Sequence, residues 1–156
     1  MNKIIILVLL ITGFWACNPG TEKAPDSAKE GGAYAERTTT THTKNGLQLN
    51  NGSRWVADAP TNANVKNMQG IIENFDAGTD QSLAAHWAVS AQLHTALNKM
   101  ISECRMKGAN HDALHLWLEP LLNQVKQLKA ASSENEASGI WQTIRTQVGY
   151  YNQYFE

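Results

Sequence analysis

The apolar positions of this chain change period near residue 60. Beyond it they recur every three or four residues, the spacing of helices that bury one face. Val65, Met68, Ile72 and Phe75 form a first stripe, opened by Pro60 with Thr61 or Asn62 and stopped by the polar run DAGTD from Asp76 to Asp80. Thr79 or Asp80 is placed to cap a second helix. Its seam reads Leu83, Trp87, Ser90, His94, Leu97, Ile101 and Cys104, widened by Val89, Leu93 and Met100. Gly108 suits the left-handed backbone that ends many helices, and Asn110 then caps a third. That helix shows His111, Leu114, His115, Leu118, Leu121, Leu122, Val125 and Leu128 on one face. Pro120 has no N–H to donate, so a kink or restart is expected between Trp117 and Pro120. Ser133-Glu134-Asn135-Glu136 is a capping box ahead of a fourth stripe, Ile140, Ile144, Val148, Tyr151 and Phe155. Four amphipathic helices with short connections predict an all-α, antiparallel up-down four-helix bundle over residues 60–156. That length is enough for one core.

Upstream, residues 46–58 read as a short β-hairpin or an extended lead-in. Leu47 and Leu49 alternate with polar residues, and Asn51-Gly52 suits a tight turn. Two short strands alone are marginal, so this segment, with Trp55, is expected to pack on the helices.

Residues 18–45 hold Pro, Gly, Ser, Thr, Glu and Lys with almost no large apolar side chain. Such a stretch cannot bury enough surface to offset its ordering entropy, and residues 17–45 are read as a disordered tether. Ahead of it, Lys3 precedes the apolar run Ile4–Ile11, which is too short to span a bilayer and has the form of a signal peptide over residues 1–16. Phe14-Trp15-Ala16-Cys17 resembles the lipobox of bacterial lipoproteins. Ala16 and Cys17 match that pattern, while Phe14 and Trp15 depart from its usual residues. The resemblance implies that Cys17 becomes the acylated first residue of a mature chain anchored to a membrane of the bacterial cell envelope, with the helical domain on the extracytoplasmic side.

The charge balance narrows the partners. The chain has 13 Lys and Arg against 14 Asp and Glu, and removing residues 1–16 takes away only Lys3, leaving 12 against 14. Nucleic-acid binding needs a concentrated basic face, and no such run occurs. The remaining partner classes are the membrane itself, reached through the lipid, and a protein or small ligand.

One stretch concentrates chemistry. CRMKGANHDALHLWLEP, from Cys104 to Pro120, holds a cysteine, a methionine and two histidines about a glycine turn. A hairpin of the second and third helices brings Cys104, Met106, His111 and His115 to one corner, and the i,i+4 histidines share a helix face. Thiolate, thioether and imidazole suit copper first and zinc second. Ordinary packing reads the same residues as a buried thiol and helix-end histidines. No CxxCH, HExxH, GxSxG or Gly-rich phosphate loop occurs, so the cluster carries no catalytic motif. His94 is expected inside the second helix seam and His86 outside it.

Tyr150, Tyr151, Tyr154 and Phe155 return to the end of the bundle where Cys104 lies. With Trp55 they form either an aromatic plug or a patch for a partner. The leading expectation is a non-enzymatic binding or envelope-interaction module on a lipid anchor. The alternative is a soft-metal binding or delivery protein using Cys104, Met106, His111 and His115.

Overall fold

The computed structural model describes residues 46–156. The segments read as a signal peptide (1–16) and a tether (17–45), with Cys17, lie outside the described residues. Four helices follow in order: α1 Ala59–Ala77, α2 Leu83–Glu103, α3 Gly108–Ala130 and α4 Glu134–Tyr154. They form the expected all-α up-down bundle. Contacts at its two ends show the alternation of direction. At one end Asn64, early in α1, donates to Glu103 at the close of α2 at 2.7 Å, and Tyr151, late in α4, donates to Asn62 at 2.7 Å. At the other end Phe75 of α1, His86 of α2 and Trp141 of α4 pack as a ring cluster, with centroids 4.6–6.3 Å apart. None of the described helices is long and apolar enough to cross a membrane.

The caps depart from the sequence expectation by a few residues. Asp58, not Thr61 or Asn62, caps α1 by accepting from the Thr61 N–H at 2.8 Å, with Pro60 in the first turn. Ser82 caps α2, while Asp80 accepts from the Ser82 N–H at 3.0 Å. α2 stops at Glu103, and Gly108, at φ +61°, opens α3 rather than ending α2. Asn110 therefore sits inside the first turn of α3. Pro120 lies within an unbroken α3. The carbonyl it frees belongs to Leu116, which is exposed, so water can take the place of the lost N–H. In the α4 cap, Ser133 Oγ accepts from the Glu136 N–H. The Glu136 carboxylate reaches back to the N–H of Ser132, at 2.8 Å, one residue before the usual partner.

The core phase of α2 is the largest correction. Its buried side is His86, Val89, Ser90, Leu93, Ala96, Leu97 and Met100. Trp87 is 44% exposed, Ile101 48%, and His94 also faces solvent. Apolar and small residues cover most of this helix's circumference, so spacing alone does not set which side faces inward. The aromatic rings of Phe75 and Trp141 draw His86 inside instead. Trp117 on α3 and Trp141 and Gln147 on α4 join the core as well. Trp117 Nε1 donates to the Gln147 carbonyl at 2.8 Å, and the Gln147 amide donates to the Trp117 carbonyl at 2.7 Å. Both polar groups are thereby satisfied in a buried position, where an unmade bond costs about 1–3 kcal/mol.

The lead-in is ordered by two small devices. Asn51 and Gly52 both take positive φ, and Asn50 and Ser53 pair across them in one antiparallel bridge. The chain then runs parallel to the residues after α4: Trp55 N–H donates to the Tyr154 carbonyl at 2.7 Å, and Glu156 and Ala57 N–H groups continue the pairing. Leu47 is buried to 1% exposure, while Leu49 stays 41% exposed. The hairpin is thus a single turn, and its hold on the bundle comes from Leu47 and the pairing with residues 154–156.

Candidate functional site

The corner from Cys104 to His115 is built by the α2–α3 connection. Cys104 takes an extended conformation after α2, its N–H donating to the Met100 carbonyl at 2.9 Å. The next N–H, from Arg105, donates to Asp58 Oδ2 at 2.6 Å. Those two bonds turn the chain toward the start of α1. Cys104 and Met106 are half-buried and pack against the core. His111 is half-buried and His115 exposed, with their rings edge to face at 4.6 Å. The structure therefore pairs the two imidazoles but does not gather them with the thiol. Among the described residues, no group of three or more His, Cys, Asp or Glu side chains is placed to hold a metal ion. The reason is geometric: α2 ends before Cys104, so the sulfur leaves the helical register and serves the core edge, while the histidines follow the outer side of α3.

The aromatic residues at this end resolve as a plug. Tyr151, Tyr154 and Phe155 are buried, Tyr150 and Trp55 half-buried. Tyr151 stacks on Phe155 at 4.9 Å and meets Trp117 edge to face at 5.0 Å. Burial pushes the Tyr151 hydroxyl above its ordinary range, with Asp58 and Cys104 adding to the effect. The Trp55 indole donates to the Gln48 carbonyl at 2.7 Å, closing the lead-in on itself. A partner patch made of these five side chains is not what the fold presents, because three of them face inward.

Two grooves lie between helices among the described residues, beside a smaller one of about 370 Å³ where the lead-in meets α3. One, of about 570 Å³ between α1 and α4, is polar and bridged by Arg145 and Asp76, 2.8 Å apart. Asp76 also accepts from the Trp141 indole at 2.8 Å, so it is committed to the fold. The other, of about 520 Å³, runs between α2 and α3 past Ser90, His94, Leu122 and Lys126. Sequence reading missed both. The signal was the i, i+3, i+7 spacing of Leu122, Val125 and Lys129 beside Lys126, which predicts a mixed apolar and basic strip but not what lies opposite it.

No protein family, curated protein or solved structure matches this chain in comparisons with all three.

Proposed function

We propose that the chain is a lipid-anchored extracytoplasmic protein of the bacterial envelope whose helical domain is a non-enzymatic binding module. The observation that carries the anchor is the order of segments in the sequence: the apolar run Ile4–Ile11, Ala16-Cys17 directly after it, then polar residues to position 45. Cys17 bears the lipid, and the domain works at a membrane surface. Support for a binding role is the bundle's build, in which the inward polar groups Gln147, Asn64 and Tyr151 are committed to structural hydrogen bonds, leaving the surface grooves as places for a ligand. Cys17→Ser is the test. Membrane fractions should lose the variant to the soluble fraction, and unchanged membrane association would overturn the lipid anchor at Cys17.

The soft-metal reading keeps one observation in its favour, the His111 and His115 rings at 4.6 Å. It narrows to two imidazoles, with copper or zinc as the fitting ions. Metal content of the purified chain beside His111→Ala/His115→Ala decides it. Equal content in both, or none in either, rejects it.

A further inference from the structure

The α2–α3 groove has an uncompensated charge. Lys126 and Lys129 line it, with His94 across from them on α2. No acidic side chain among the described residues lines it, and neither lysine belongs to an ion pair there. Below the lysines the lining turns apolar: Val125 is buried and Leu122 half-buried. Ser90 is buried beside them, its hydroxyl donating to the Trp87 carbonyl at 2.7 Å, which leaves its oxygen able only to accept. The volume of about 520 Å³ falls in the range of roughly 300–1,000 Å³ of small-molecule sites. From Leu122 to Lys129 the groove follows two turns of helix, about 10 Å at the helical rise.

We propose that this groove binds a small amphiphilic organic anion of the acyl-carboxylate class. Lys126 and Lys129 hold the carboxylate in charge-assisted hydrogen bonds, and the unbranched apolar tail lies over Leu122 and Val125. An amphipathic helix docks through anchors at i, i+3, i+4 and i+7, and the floor offers only Leu122 and Val125 to receive them. An inorganic anion would leave the apolar floor unused. The proposal rests on reading the domain as a binding module and names the ligand class of that module. It does not depend on the lipid anchor.

Octanoate is the probe, titrated by calorimetry into the full chain carrying Cys17→Ser, so that no detergent competes. Amide spectra locate the response. Saturable one-site binding is expected, with shifts at Ser90, Leu122 and Lys126. Octanol, which lacks the charge, and acetate, which lacks the tail, should each bind at least about tenfold more weakly, as should Lys126→Gln/Lys129→Gln with octanoate. Circular dichroism checks that the variant keeps its helices; because both lysines lie on the surface, it should. The proposal is overturned by no saturable binding to folded protein, by equal binding of octanol or acetate, by an unaffected lysine variant, or by shifts confined to another face. Binding of anionic phospholipid vesicles through the same lysines, without octanoate binding, would also overturn it and assign the face to a bilayer. The Cys17→Ser fractionation reads the anchor separately, so the two readings fail independently.

Discussion

Asp58 accepts a hydrogen bond from the backbone of Arg105, 47 residues away, at 2.6 Å. Its other oxygen caps α1 through the Thr61 N–H at 2.8 Å. One carboxylate therefore holds the start of α1 to the connection between α2 and α3. Asp58→Ala should cost about 1–2 kcal/mol for the lost cap, with more if Arg105 finds no water. Asp58→Asn should fall between, because its amide offers only one acceptor to two donors. Urea unfolding of the three proteins gives the order. An Asn variant as stable as the parent would show that the Arg105 bond adds nothing.

Acid should expose the same residue. Burial works to raise the Asp58 pKa, but the hydrogen bonds it accepts from the Thr61 and Arg105 N–H groups outweigh it and hold the carboxyl below its ordinary value near 3.8. A carboxylate lowered on folding adds stability above its unfolded pKa and loses it as pH falls through the folded value. The stability gap between the parent and Asp58→Asn should be constant at neutral pH and shrink below about pH 4. A gap that stays flat to about pH 2.5 would contradict the assignment.

The α2 phase is checked by two adjacent residues. Met100 is buried to 1% exposure and Ile101 is 48% exposed. Met100→Ala should cost about 2–5 kcal/mol. Ile101→Ala, on the solvent side, should stay within about 0.5 kcal/mol. Comparable losses at both positions would mean that α2 sits closer to the phase its apolar spacing suggests.

His86 sits inside the far end of the bundle at 1% exposure. Nδ1–H donates to the Ser82 carbonyl at 3.0 Å, while Nε2 meets no partner among the described residues. That carbonyl already accepts from the His86 N–H, so the ring bond is dispensable. His86→Leu should match the parent in thermal stability or exceed it, since a buried acceptor without a donor costs about 1–3 kcal/mol. His86→Ala should melt lower, because it leaves a gap between Phe75 and Trp141. If Leu melts as low as Ala, Nε2 has a stabilising partner.

How much of this was legible shows residue by residue. Val65, Met68 and Ile72 were read as core and are buried, as are Leu114, Leu118, Leu121, Val125, Ile144 and Val148. Period and phase come together at these positions, although on α3 the same stripe took in His115, which is exposed, and passed over Trp117, which is buried. The candidate corner was less legible. Its glycine was correctly placed at positive φ, yet five residues beyond the true end of α2 at Glu103, where Asp58 holds Arg105 from a distance of 47 residues. No local signal carries that bond.

Period, composition and turn chemistry along the chain determined the number of helices, their order, the Asn51-Gly52 turn and the Ser133 cap, since each depends on neighbours within a few residues. Tertiary structure alone decided which side of α2 faces inward, that His86 is buried and His94 and His115 are not, and that the aromatic end is a plug. Those outcomes depend on what a helix meets across the core: Phe75 and Trp141 for His86, Asn62 and Trp117 for Tyr151. A side chain's partner in a bundle is set by the packing of distant segments, and spacing along one helix does not encode it.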